Sequence, residues 1–337
     1  MNEHSKISVP NNSEGKSLLE RAAKAFDLGS LAPPPVPVDL APARPKPVMR
    51  QRAPEPRVEP AARAVEEVQQ PDTEAPVEIV EKPVAHMRPI APRGPHHSID
   101  RGHLRAQGLI EPEGSVTALL EEFRIVKRQL LLQAAELRRQ GGGAATQRIL
   151  VSSPHSGEGK TYCSINLALS IAAEMENEVL LVDADFAKPS ILSALGLPGG
   201  PGLMDALTDS QADVADFMLA TDIPGLSVLP AGDASNTDSE YLNSSRTAAV
   251  LDRLTEGAPH RMVIFDSPPA LAAAPAAELA KYVGQVMMIV RADRTGQGAL
   301  DDAISLLSGC PNIQLLLNAA NFSPSGRRFG SYYGYGV

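Results

Sequence analysis

Three short stretches carry residues whose types and spacing suit phosphate and cation chemistry. The first is SGEGKT at 156–161. Glycines 157 and 159 let backbone N–H groups approach phosphate oxygens, Lys160 can reach β- and γ-phosphates, and the Thr161 hydroxyl can ligate Mg²⁺. An apolar helix starting there adds the positive potential of its N-terminus. The candidate nucleotide-binding residues are therefore Ser156, Gly157, Glu158, Gly159, Lys160, Thr161 and Tyr162. The match to G-x-x-x-x-G-K-S/T is imperfect, because Pro154 stands where the first glycine belongs. The second stretch, LLVDAD, ends an apolar run with Asp183 and Asp185. One residue apart on a strand, both side chains lean the same way, and two anions so placed repel unless a cation or proton intervenes. The alternative is an aspartate pair that caps the next turn. The third, RMVIFDSPP, delivers Asp266 from an apolar strand, as a Walker B strand delivers its Mg²⁺-holding acid. Asn318, at the end of IQLLLN, either bonds an adenine edge or simply ends a strand.

The elements that must position these residues follow from hydrophobic pattern. Short apolar runs at 148–152, 178–183, 226–230, 262–266, 286–290 and 313–318 alternate with helical stretches from about 160 and around 190–195, 211–220, 245–256 and 298–308. Continuous apolar strands separated by helices predict a doubly wound, mostly parallel α/β sheet with helices on both faces. The acids then fall at the carboxyl ends of strands, where such sheets bind ligands. Ahead of the loop, the stretch from Ser115 predicts a long helix ending at Gly141–Gly143. Leu119, Phe123, Val126, Leu130, Ala134 and Leu137 form its apolar stripe, with Glu121, Glu122, Arg124, Lys127 and Arg128 around the rest.

Composition divides the 337-residue chain. Eighteen of its thirty prolines lie in the first 112 residues, alongside one aromatic residue, Phe26. Such a stretch cannot bury enough apolar area to offset its conformational entropy. The expected organisation is a short amphipathic helix within 1–30, a disordered Pro-rich linker over 31–100, a P-loop domain over 101–325 and a flexible tail over 326–337. The N-terminal helix has a Ser17/Glu20 capping box and a stop at Gly29. The net charge of −9 argues against a nucleic-acid binder, which is usually basic. Cys163 and Cys310 lack metal-ligand spacing and read as buried thiols of a cytosolic protein. No apolar run reaches the ~18 residues of a membrane span, and the N-terminus does not read as a signal peptide. Half of the six tyrosines, Tyr332, Tyr333 and Tyr335, crowd the glycine-spaced tail.

SGEGKT, LLVDAD, DSPP and this tail together resemble the bacterial tyrosine kinases, P-loop proteins unrelated to the eukaryotic kinase fold. The resemblance spans roughly residues 100–337. EEFRIVKR at 121–128 resembles the family's E-x-x-R-x-x-R oligomerisation motif. The proline-rich lead and DADFAKPSI look most like the autokinases of exosortase-type exopolysaccharide clusters. The resemblance implies ATP and Mg²⁺ as cofactors. Lys160, Asp183 and Asp185 are the implied catalytic residues, with Asp183 as base toward the tyrosine hydroxyl. Thr161, Asp183, Asp185 and Asp266 are the implied metal set. It further implies autophosphorylation in trans of Tyr332, Tyr333 and Tyr335, and control of exopolysaccharide biosynthesis or export. Glu121, Arg124 and Lys127 are the implied contacts of a ring-like homo-oligomer within 115–140. Expected partners are a separate membrane activator of the polysaccharide co-polymerase type and a tyrosine phosphatase. The expected location is cytoplasmic, at the inner membrane through that activator.

Two departures stand out. A basic residue common two positions after the second aspartate is replaced by Ala187 with Lys188 beside it. Lys127 stands for the motif's last arginine and loses bidentate pairing. The competing class is the partitioning and cell-division ATPases, which share the nucleotide site but carry a signature lysine where this chain has His155. They also have no use for tail tyrosines. A third reading, a scaffold that binds nucleotide only for assembly, leaves Thr161, Asp183 and Asp266 without a purpose.

Overall fold

The computed structural model describes residues 89–174, 176–233 and 238–320. The expected N-terminal helix, residues 31–88 of the expected linker, and Tyr332, Tyr333 and Tyr335 lie outside them. The strands are β1 (His96–His97), β2 (Arg148–Ser152), β3 (Glu178–Asp183), β4 (Leu219–Thr221), β5 (Leu226–Leu229), β6 (Arg261–Asp266), β7 (Gln285–Arg291) and β8 (Ile313–Asn318). They form one sheet in the order β1-β4-β5-β3-β6-β2-β7-β8. Every pairing is parallel except β4 with β5.

The unbroken apolar runs are explained by two cores. Leu150, Leu180, Val263 and Val286 point to one face, while Ile149, Leu181, Ile264 and Met287 point to the other. The first face is covered by α5 (Leu203–Thr208), α6 (Asp238–Leu242), α7 (Ser245–Arg253), α8 (Pro275–Ala280) and α9 (Gln297–Leu306). The second is covered by α1 (Arg101–Ala106), α2 (Ala118–Arg139), α3 (Lys160–Ala172) and α4 (Ile191–Leu195). Each fully buried aliphatic side chain contributes roughly 1.5–3 kcal/mol relative to exposure, so both faces hold the central strands rigidly.

Helix α3 follows the loop and is buried nearly all round, with α2 packed against it. Its polar residues are consequently committed. Asn166 accepts the Ile110 N–H at 2.9 Å and donates to the Tyr162 carbonyl at 2.9 Å.

Three expectations change. Residues 89–100, placed in the linker, belong to the folded body. Ile90 and Ile99 are buried, β1 pairs with β4, and Arg93 reaches Asp213 and Asp216 at 2.7 Å each. A few apolar and charged anchors suffice there despite the prolines. The helix expected at 211–220 is replaced by a 3₁₀ turn at Val214–Asp216 and by β4. Asp209 and Asp213 accept the N–H groups of Gln211 and Ala215, local bonds that compete with a continuous helix. Helix α2 starts at Ala118, with the Thr117 hydroxyl accepting the Leu120 N–H. Its buried stripe is Leu120, Phe123, Lys127, Leu130 and Ala134, one residue out of phase with the expected one at its start.

Candidate active site

The sheet brings the three motif stretches together. In the register, Asp266 of β6 lies opposite Val151 of β2 and Asp183 of β3. The loop leaving β2 and the two acids therefore share the carboxyl edge at the centre of the sheet. Within the loop, Gly157 and Gly159 have φ of +76° and +98°, a region that disfavours residues with a Cβ. A Cβ at Gly159 would also stand 2.2 Å from Nδ2 of Asn318. Among the described residues, the N–H groups of Ser156, Gly157, Glu158 and Gly159 have no acceptor. Unpaired N–H groups ahead of a helix N-terminus form an anion cradle.

Lys160 opens α3, is mostly buried, and has its Nζ 3.9 Å from Oδ2 of Asp185. Thr161 donates to Oδ2 of Asp266 at 2.6 Å, and Ser164, one turn on, donates to Oδ1 at 2.9 Å. Asp266 is wholly buried, and desolvation pushes its carboxyl up to about 7. The Thr161 bond, Lys160 and Ser164 oppose that shift, and the Asp183 charge reinforces it. Desolvation likewise pushes Asp183 up to about 6. Burial also raises Asp185, with Lys160 opposing.

Asp183 shows the capping geometry. It accepts the N–H groups of Asp185, Ser190 and Ile191 at 3.2, 2.9 and 3.0 Å, which anchors the start of α4. A carboxylate has about four acceptor sites, so one remains. Asp185 accepts the Lys188 N–H at 3.2 Å, while the Lys188 and Ala187 side chains are exposed. The expected four-residue metal set is thus not assembled as a cage. Among the described residues, no group of three or more His, Cys, Asp or Glu side chains could hold a metal ion. Thr161 with Asp266 fits a cation that keeps waters and takes ligands from a substrate phosphate, as Mg²⁺ does.

Other candidates are placed differently from expectation. The Tyr162 hydroxyl donates to the Gly108 carbonyl at 2.8 Å, so its ring belongs to the packing ahead of α2. The Glu158 carboxyl is buried and turned back into its own loop, accepting the His155 N–H at 2.9 Å. Asn318 donates to the Glu158 carbonyl at 2.9 Å. His155 is exposed. On α2, Glu121 and Arg124 pair with each other within one helix turn. Lys127 points inward, donating to the Ser170 carbonyl at 2.9 Å and pairing with Glu174 at 2.6 Å. As an outward oligomer contact Lys127 is corrected, because its ammonium is consumed within its own chain.

The sequence reading missed Ser164, Ser190, Arg291 and Thr295. Ser164 sits one helical turn beyond Lys160, a spacing that signals a shared face. Ser190 donates to the Thr161 hydroxyl at 3.2 Å.

Fold and loop geometry define a P-loop α/β protein. No protein-family model matches the chain. The tyrosine-protein kinase ptk of Acinetobacter johnsonii is 32% identical over 158 residues, 47% of this chain and 21% of that protein. The tyrosine-protein kinase YwqD of Bacillus subtilis is 27% identical over 217 residues, covering 64% of this chain and 85% of that one. The kinase domain of the Escherichia coli tyrosine kinase ETK shares the fold, with a TM-score of 0.52 at 20% identity over 69% of this chain and 92% of that domain. The chain is thus similar in sequence to bacterial tyrosine kinases over about half to two thirds of its length. It spans about a quarter or less of the length of several of these relatives. Among the described residues, no helix is long and apolar enough to cross a membrane.

Proposed function

We propose that this chain is an ATP-dependent protein-tyrosine kinase that phosphorylates its own tail tyrosines, Tyr332, Tyr333 and Tyr335, in trans. The observation that carries this reading is the convergence of the open loop amides, Lys160, Asp183 and Asp266 on adjacent strand ends. The N–H groups at 156–159 and Lys160 bind and orient the phosphates. Thr161 and Asp266 hold Mg²⁺, with Ser164 keeping the Asp266 carboxylate in place. When bound, Mg·ATP supplies the transferable phosphoryl group and the cation that neutralises its charge. Asp183 takes the proton of the incoming tyrosine hydroxyl through its remaining acceptor site. Its pKa near 6 lies closer to neutrality than an ordinary carboxylate's, as general-base work requires. Asp185 orients Lys160 until phosphates displace it.

By the same reading, the kinase works in a ring-like homo-oligomer with Glu121 and Arg124 at the contacts. It answers to a membrane activator of the polysaccharide co-polymerase type, is reset by a phosphatase, and regulates exopolysaccharide biosynthesis. The test is mass spectrometry after incubation with Mg·ATP. Wild-type protein should carry phosphotyrosine at the tail, Lys160→Met should carry almost none, and the triple tyrosine-to-phenylalanine variant should bind ATP yet lose most of the signal. Undiminished signal in Lys160→Met excludes this kinase site, and undiminished signal in the triple variant excludes the tail as acceptor.

A further inference from the structure

A carboxylate inside a loop that attracts phosphates needs a reason to be there. Glu158 is only 1% exposed, and both its oxygens are engaged. One accepts the His155 N–H at 2.9 Å, and the other accepts the Thr295 hydroxyl at 2.5 Å. Thr295 belongs to the turn after β7, where Asp293 has a φ of +59°, and its Oγ also accepts the Arg291 N–H at 2.9 Å. From the same corner, the Arg291 guanidinium donates to the Gly157 carbonyl at 2.8 Å and Asn318 donates to the Glu158 carbonyl at 2.9 Å.

Arg291 and Asn318 act directly on two peptide units of the loop, and Thr295 ties the Arg291 backbone to the Glu158 carboxylate between those units. In a planar trans peptide the C=O and N–H point in opposite directions. Holding the Gly157 carbonyl toward Arg291 therefore turns the Glu158 N–H the other way. Holding the Glu158 carbonyl toward Asn318 does the same for the Gly159 N–H. Both N–H groups lack an acceptor among the described residues. Gly157 and Gly159 provide no Cβ to resist rotation of these units, so the orientation has to be imposed from outside the loop.

We propose that Glu158, Thr295, Arg291 and Asn318 form a clamp that presets two phosphate-binding amides of the loop, with Glu158 as a positioning residue that does not itself touch the nucleotide. Preorganised donors act without reorganising when the ligand arrives. The clamp also ties the ends of β7 and β8 to the nucleotide loop, linking an outer part of the sheet to its centre. The inference rests on the nucleotide-site reading above.

The test uses the full chain, a ribose-labelled fluorescent ATP with Mg²⁺, and KM against kcat for tail phosphorylation. Thr295→Val keeps the shape and removes the hydroxyl. It should weaken nucleotide binding and raise KM about tenfold, the size of one hydrogen bond to a charged group, with kcat at saturating ATP nearly unchanged. Thr295→Ser should recover most of the affinity. Glu158→Ala should match Thr295→Val, and the double variant should be no worse than Glu158→Ala, because both break one unit. Equal weakening in Thr295→Ser and Thr295→Val, or wild-type affinity in Thr295→Val, overturns the clamp. The control is Lys160→Met. Affinity lost there but intact in Thr295→Val refutes the clamp alone. Lys160→Met binding like wild type, or no binding by wild-type protein, refutes the nucleotide site and the clamp with it.

Discussion

Two groups of charged residues carry motifs that resemble those of bacterial tyrosine kinases, and they sit in opposite surroundings. At the carboxyl edge of the sheet, Lys160, Asp183, Asp185 and Asp266 are buried and brought together by strands that pair in register. On α2, Glu121 and Arg124 are solvated and satisfied by each other, while Lys127 alone turns inward. Desolvation raises all three acids of the first group, whereas exposed pairs like those of the second are worth little singly. The contrast shows that depth, more than residue type, decides which charges carry energy. On α2 it separates one structural charge from its neighbours.

The comparison breaks most severely at Lys160. Lys160→Met should lower phosphotyrosine formation by about 10²-fold or more, comparable to losing one preorganised donor, while Arg124→Ala should leave the affinity for Mg·ATP unchanged. Quantitative mass spectrometry checks the first and equilibrium nucleotide binding the second.

The next effect is a pH dependence confined to the buried group. Asp183 and Asp266 have native pKa values near 6 and 7, above the ordinary 3.8. The native state therefore binds these protons more tightly than the unfolded chain does. Their contribution is fully present below about pH 4 and is lost as pH rises through 6 and 7. Without Mg²⁺, the urea midpoint should fall over that interval more in wild-type protein than in Asp266→Asn. Equal slopes would show that Asp266 does not titrate there.

A smaller effect distinguishes Lys127 from its neighbours. Lys127→Ala should destabilise the fold by about 2–3 kcal/mol through lost packing and an orphaned Ser170 carbonyl. Lys127→Met keeps most of the packing but still orphans the Ser170 carbonyl, so it should cost about 1–2 kcal/mol, less than Lys127→Ala. Chemical denaturation of the three proteins decides this.

The smallest effect on stability belongs to Glu121 and Arg124. The double alanine variant should unfold within about 0.5 kcal/mol of wild type yet lower the assembly mass in light scattering at low salt, where charge pairs are strongest. Unchanged mass would leave these residues as a solvated face.

Much of this was legible in the sequence. RILVS and EVLLVD coincide with β2 and β3, because strands buried on both faces need unbroken apolar runs, and IQLLLN coincides with the edge strand β8, whose Leu315 and Leu317 are exposed. Gly157, Gly159, Lys160 and Asp266 were readable because loop geometry and phosphate chemistry restrict the residues that fit. Pairing across long sequence distance was not readable. β1 is two residues long and pairs with β4 beside the ion pair of Arg93 with Asp213, and nothing local marks Thr295 as a partner of Glu158, 137 positions away. Lys127 was misplaced because a lysine in a helix is presumed solvated, and only the packing of α2 on α3 supplies the buried Ser170 carbonyl that accepts from it.

That inward lysine has a mechanical consequence. An all-aliphatic stripe lets a helix slip or roll on its bed with little penalty, since one greasy contact substitutes for another. A single ammonium that finds a carbonyl and a carboxylate at one setting works like a key cut for one lock position. Rolling α2 by a fraction of a turn would strand the charge in hydrocarbon, so the azimuth of the whole helix is fixed. Whatever meets its outer surface then meets Glu121, Arg124 and Arg128 at a constant bearing, and any arrangement of subunits built on that surface takes its angle from a residue that never reaches it.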